Sequence, residues 1–248
     1  MYLIALAFVV VAFLHASVGF GGALTYTAIL VESGIHWQLV PPLSLACNVV
    51  VTAGGVFHFA RAGHLDLRFA APLVAVSIPA AFLGGYIELD QQRFQAILGG
   101  ALLFAGALLL ADKRWQFSGG TQPGAGTGVI LVLGISLGAL AGLTGIGGAI
   151  YLGPVLHFFR LADAKTVAAS CSLFSLLNSV AGLAGQLTKL GGEAGVLLDV
   201  AYLVLPLAVL VGGQIGSRAG ARWLPASPIR RLTGLVITIV AVRLIWPS

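Results

Sequence analysis

Residues 14–30 read LHASVGFGGALTYTAIL, and residues 140–156 read LAGLTGIGGAIYLGPVL, which aligns on the first stretch without a gap. Each holds a G-[FI]-G-G-A cluster inside a run that is otherwise apolar enough for plain membrane helix. A glycine in a helix interior costs about 1 kcal/mol relative to alanine. Three of them in four positions break a helix more than they pack one.

The surrounding composition sets the solvent. The chain has 248 residues, is 58% hydrophobic and only 8% charged, and has a mean hydropathy of +1.02, far from the roughly 25% charged residues of a soluble domain. All eight acidic residues, from Glu32 to Asp199, sit in or beside polar breaks, as expected when a charge at bilayer depth costs a few kcal/mol or more. The chain reads as an all-α integral membrane protein.

A spanning helix needs about 20 mostly apolar residues. On that measure the chain divides into hydrophobic segments at 2–31, 39–59, 69–87, 92–111, 127–159, 163–188, 196–216 and 228–246. The first and fifth are too long for one simple crossing: unbroken, they would reach about 45–50 Å against a hydrocarbon core of about 30 Å. Both carry the glycine clusters. The Gly/Pro-rich stretch 112–126, DKRWQFSGGTQPGAG, is the only long polar one and reads as a linker. It separates a first membrane repeat, 1–111, from a second, 127–248, and the two together form one transmembrane domain. Farther along, IPAAFLGGYI (78–87) matches LPLAVLVGGQI (205–215) with one inserted residue. An internal repeat of this length is a common transporter architecture; the plainer reading is a duplicated bundle whose other glycines, such as Gly84, Gly85, Gly212 and Gly213, serve close helix packing.

Cytoplasmic loops carry the excess of Lys and Arg. If all eight segments cross, the side shared with the termini holds Arg61, Arg68, Lys113, Arg114, Lys189 and Arg243, and the other holds Arg93, Arg160, Lys165, Arg218, Arg222, Arg230 and Arg231. That split orients nothing. If segments 1 and 5 instead dip in, turn at the glycines and leave on the side they entered, only Arg93, Lys189 and Arg243 fall opposite the other ten. Each half then crosses three times and the repeats are inverted. A broken but crossing helix stays open as the alternative. Residues 1–16 have no basic n-region and no A-x-A site, so no removable signal peptide is expected.

Irregular backbone at membrane depth is tolerated where it is buried in protein or lines a cavity, and discontinuous helices near the midplane are a recurrent way to build a substrate site. Helices restarting at about Ala23 and Ala149 would leave their first amide N–H groups unpaired and carry roughly half a positive charge at that end. Two such ends form an anion site without arginine.

The duplicated G-x-G-G cluster, the polar segment that follows it and eight apolar segments in about 250 residues resemble the sulfite exporter TauE/SafE family over essentially the whole chain. The resemblance implies a secondary transporter, an exporter, for sulfite, organosulfonates or carboxylate-type anions, in the cytoplasmic membrane. Ala23 and Ala149 stand where the family typically has a third consecutive glycine. Pro154 supplies a proline common in the family, and Ala28 at the aligned position does not.

The substrate-binding candidates follow from the clusters and the polar residues facing them. In the first half they are Ser17, Gly19, Phe20, Gly21, Gly22, Thr25, Asn48 and Thr52. In the second they are Thr144, Gly145, Ile146, Gly147, Gly148, Tyr151, Ser172 and Asn178. Hydroxyls and amides can donate to an oxyanion while leaving the empty site uncharged, although many membrane hydroxyls only bond their own helix carbonyls. Segments 2 and 6 also carry Ser44, Ser170, Ser175 and Ser179. His15 is the one titratable group of segment 1 with an unperturbed pKa near neutrality, and is the candidate for proton coupling. Its aligned position is Ala141, so any such role is asymmetric.

Other signals carry less. GISLG (134–138) fits the G-x-S-x-G pattern without the strand-turn-helix context a hydrolase needs; an intramembrane hydrolase using Ser136 is the enzyme alternative, and the main reading is not an enzyme. Cys47 and Cys171 make neither a metal site nor a disulfide framework. A net charge of +5, gathered on one side, reports orientation toward anionic lipid rather than nucleic acid. No cofactor or nucleotide loop is present in the sequence. The expected partners are a small anion, a proton and the lipid bilayer, with a homodimer left open. A channel or carrier for a neutral or cationic solute is the alternative within transport, and the lack of any Asp or Glu in mid-segment argues against a cation.

Overall fold

The structure, a computed structural model, describes residues 2–110, 127–158 and 161–224. The linker 112–126, the eighth segment 228–246 and the side chain of His157 lie outside the described residues, as do Lys113, Arg114, Arg160, Arg230, Arg231 and Arg243. Every regular element among the described residues is helical: α1 Tyr2–Ala16, α2 Ala23–Glu32, α3 Val40–Arg61, α4 Leu67–Tyr86, α5 Gln91–Leu110, α6 Thr127–Thr144, α7 Ala149–Phe158, α8 Ala164–Leu190 and α9 Val200–Arg222. A 3-10 stretch, Gly191–Leu198, joins α8 to α9. Helices α3, α4 and α8 and the Tyr202–Arg222 part of α9 are long and apolar enough to cross a membrane.

Local chemistry starts these helices where it should. Pro41 and Pro42 open α3, where a missing N–H costs nothing. The carboxylate of Asp66 accepts from the amides of Arg68 and Phe69, and that of Asp163 accepts from those of Lys165 and Thr166, capping α4 and α8. Segment 196–216 differs from its helix: α9 begins at Val200 and runs on to Arg222, because a long Arg stem can lie along apolar surface while its head reaches water.

The glycines record how the helices meet. A Cβ on Gly212 would meet the Val9 carbonyl, one on Gly216 that of Phe13, and one on Gly220 that of Ser17. Numbers rise together, so α9 packs parallel to α1, backbone against backbone. In the same way Gly134, Gly138 and Gly142 of α6 face Leu73, Ser77 and Ala81 of α4. The packing role of Gly84, Gly85 and Gly212 is direct, since their Cβ positions lie 2.2, 2.3 and 2.1 Å from the carbonyls of Ala139, Gly182 and Val9. Helix α4 packs on α6 and α1 on α9, while α2 packs on α3 and α7 on α8. Helix α3 crosses α8. Asn48 and Ser172, each following a cysteine, face Ser179 and Gly55 respectively, and these two contacts are each other's counterparts.

The chain leaves helix after Ala16 and resumes at Ala23, and leaves it after Thr144 and resumes at Ala149. At the first break it doubles back: Phe8 of α1 stacks on Tyr26 of α2 with ring centroids 4.5 Å apart. Helix α2 then runs antiparallel to α3, with Ala23 beside Asn48 and Thr27 beside Ser44.

Candidate functional site

Both breaks meet on α3. The Ser44 hydroxyl reaches the Ala23 carbonyl at 2.8 Å and the Gly145 carbonyl at 3.0 Å, and itself accepts from the Thr27 hydroxyl at 2.8 Å. One turn on, the Asn48 carboxamide lies between the two clusters. Its Oδ1 accepts from the Ala23 amide at 3.3 Å, and its Nδ2 donates to Ser175 Oγ at 2.9 Å and Ser179 Oγ at 2.6 Å. A Cβ on Gly21 would collide with Asn48 Oδ1, and one on Gly147 would stand 2.3 Å from Asn48 Nδ2. Glycine is therefore required at both places by close approach; Gly147, at φ 76, is also left-handed, where a side chain costs about 1–2 kcal/mol.

The first amide of α2 is one of the unpaired donors at a helix start, and the carboxamide oxygen takes it. Gly22, the residue before α2, has φ 88 and no side-chain cap. From α8, the Ser172 hydroxyl donates to the Gly19 carbonyl at 3.2 Å.

The candidates drawn from sequence sort by what they touch. Gly19, Gly21, Asn48, Gly145, Gly147 and Ser172 come together around the α3–α8 crossing, and Gly22 faces Tyr26 and His15. Phe20 packs over Gly153 of α7, and Gly148 faces Phe174; Ile146 is buried in the core. Ser17, Thr52 and Thr144 bond the carbonyls of Leu14, Asn48 and Leu140 in their own helices, the plainer role for membrane hydroxyls. His15 Nδ1, the hydroxyls of Thr25 and Tyr151, and both amide atoms of Asn178 are buried without a hydrogen-bond partner. All of these side chains are closed off from solvent.

Four polar residues of the network, Thr27, Ser44, Ser175 and Ser179, stand in the sequence only as polar members of their segments. The signal that selects three of them is spacing. Ser44, Asn48 and Thr52 recur every four residues, and Ser172, Ser175 and Ser179 at three and four, so each set lies on one helix face. The half-buried His58 pairs with Gln214 Oε1 of α9 at 2.9 Å. Ser136 is exposed and donates to the Val132 carbonyl of its own helix. Among the described residues no three His, Cys, Asp or Glu side chains gather where they could hold a metal ion.

Residues 3–244 match the sulfite exporter TauE/SafE family. The chain is 30% identical over 252 residues to the probable membrane transporter protein y4hK of Sinorhizobium fredii, covering 98% of this chain and 97% of that one. It is 23% identical to the probable membrane transporter protein MamO of Magnetospirillum gryphiswaldense over 89% of this chain and 40% of the relative. A third relative, the probable membrane transporter protein MJ0441 of Methanocaldococcus jannaschii, is 23% identical over 63% of this chain and 58% of its own. No solved structure matches. The chain belongs to the sulfite exporter TauE/SafE family of membrane transporters.

Proposed function

We propose that the protein is a secondary transporter of the cytoplasmic membrane that exports small oxyanions (sulfite, organosulfonates or related organic acids) by alternating access through a site at the two helix breaks. The observation that carries this reading is the Asn48 carboxamide, whose oxygen caps the α2 amide of Ala23 at 3.3 Å while Ser44, one turn away, ties that break to the other. A neutral oxygen holds the position that a substrate oxygen would take. Rotation of Asn48 would release the helix end, which carries roughly half a positive charge.

The path of the chain favours re-entrant hairpins arranged as inverted repeats. Helix α1 runs parallel to α9 and α2 returns along α3, so both ends of segment 1 lie with Trp37, Glu88 and Lys189. Helix α6 runs parallel to α4 and enters from the opposite end. At that end Phe59, Ala168 and Ala221 cluster, and Lys165 reaches the Gly220 carbonyl. Arg61, Arg68, Lys165, Arg218 and Arg222 lie there, against Arg93 and Lys189 at the other, which points that end toward the cytoplasm. Rocking of one repeat against the other across the α3–α8 crossing would alternate access.

His15 is the group we assign to proton coupling, and a homodimer is compatible with the exposed apolar faces of α4 and α9. Counterflow in proteoliposomes tests the substrate class: labelled sulfite or sulfoacetate should exchange, and uncharged or cationic solutes should not. Exchange of a cation with no anion flux would overturn the reading.

A further inference from the structure

His15 and Tyr26 are both buried, and His15 Nδ1 and Tyr26 Oη have no hydrogen-bond partner. They converge on one spot. A Cβ built on Gly22 would stand 2.7 Å from Tyr26 Oη and 3.1 Å from His15 Nδ1, so the two polar atoms flank the last residue before α2. The Tyr26 ring is stacked on Phe8, which stops the hydroxyl from swinging to a partner elsewhere. Leaving buried donors unpaired costs their desolvation, and such groups in a folded protein call for a reason.

The second half has no such pair. Its gapless alignment puts Ala141 opposite His15 and Leu152 opposite Tyr26, so no corresponding histidine–tyrosine pair flanks the break before α7. We propose that His15 Nδ1–H and Tyr26 Oη–H together hold one oxygen of the transported oxyanion at the first break only, which makes Tyr26 a substrate-binding residue and the site one-sided. The inference rests on the transport reading above. It adds that the substrate presents one oxygen to two side-chain donors, as a sulfite, sulfonate or carboxylate group can. A neutral imidazole suffices for this, since the hydrogen on Nδ1 does the work.

The test is calorimetric binding of sulfite, methanesulfonate and acetate to the full chain, read beside the thermal unfolding midpoint. Tyr26→Phe keeps the ring and its stack and removes an unpaired hydroxyl. It should raise the midpoint of the empty protein while weakening binding of the preferred anion about tenfold. His15→Leu should weaken binding to a similar degree, and His15→Asn, which can return an N–H near Nδ1, should restore most of it. If one oxygen is shared, the double variant Tyr26→Phe/His15→Leu loses much less than the product of the single losses. Wild-type affinity in Tyr26→Phe, or fully multiplicative losses, overturns the inference while leaving the transport reading intact, provided Asn48→Asp still abolishes binding. No anion binding by the wild-type protein overturns both.

Discussion

Asn48 Oδ1 lies 3.3 Å from the Ala23 amide nitrogen, so a side chain of one membrane helix caps the start of another in the centre of the protein. The same side chain reaches Ser175 and Ser179 of α8. Removing it leaves an amide and two hydroxyls short of a partner in a place water does not reach. Asn48→Leu should therefore destabilise the protein by roughly 1–3 kcal/mol. A lowered thermal unfolding midpoint, together with loss of transport, is the expected outcome; an unchanged midpoint would mean the carboxamide does not hold the breaks together.

Gly147→Ala and Gly34→Ala separate close approach from backbone conformation. Both residues have positive φ, 76 and 72, but a Cβ on Gly147 would stand 2.3 Å from Asn48 Nδ2 while one on Gly34 would meet nothing within 4 Å. Gly34→Ala should cost about 1–2 kcal/mol and keep transport. Gly147→Ala should cost more and abolish transport, because Asn48 is displaced. Equal effects in unfolding and flux assays would return Gly147 to an ordinary turn.

The capping carboxylate of Asp163 gives a pH dependence with a definite sign. Partial burial pushes its carboxyl up, but hydrogen bonds from the Thr166 hydroxyl and from the Thr166 and Lys165 amides, with the charge of His64, outweigh this and hold it below the usual carboxylate range. A depressed folded-state value means that its contribution is full above the unfolded value, near 3.9, and is lost as pH falls through the folded one. Asp163→Ala should lower stability by about 1 kcal/mol at neutral pH, with the gap closing in strong acid. A gap that is constant from neutral pH into strong acid would contradict the cap.

Topology is open to labelling. Ser33 and Arg68 are exposed at opposite ends of the helices, and the native Cys47 and Cys171 are buried and should stay silent. In intact cells an impermeant thiol reagent should label Ser33→Cys and spare Arg68→Cys until the membrane is opened. The reverse pattern would invert the orientation argued from charge.

Much of this was legible in the sequence, for physical reasons. Glycine breaks and spans are local features: G-F-G-G-A and G-I-G-G-A announce themselves because each glycine is costly in a helix. The likeness of 14–30 to 140–156 is a feature of the sequence itself. Which hydroxyls face the breaks is a tertiary matter. Thr144 adjoins its cluster in sequence and Thr52 shares the four-residue spacing of Ser44, yet both fold back on their own helices while Ser44 bridges Ala23 and Gly145. The choice is made by the crossing of α3 on α8, and only the four-residue spacing of Ser44, Asn48 and Thr52 hints at it. Asn178, selected for the hydrogen-bonding capacity of its amide, is buried with none of that capacity used.

The most direct test of the central claim replaces one atom. Asn48→Asp keeps the size of the side chain and an acceptor for the Ala23 amide, and the hydroxyls of Ser175 and Ser179 can donate to its second oxygen. It also places a negative charge where the substrate oxyanion is expected. Measured as sulfite and sulfoacetate counterflow in proteoliposomes, with the unfolding midpoint as the control for folding, the account predicts a folded protein with no anion flux. Undiminished anion flux in folded Asn48→Asp would contradict an oxyanion site at the paired helix breaks.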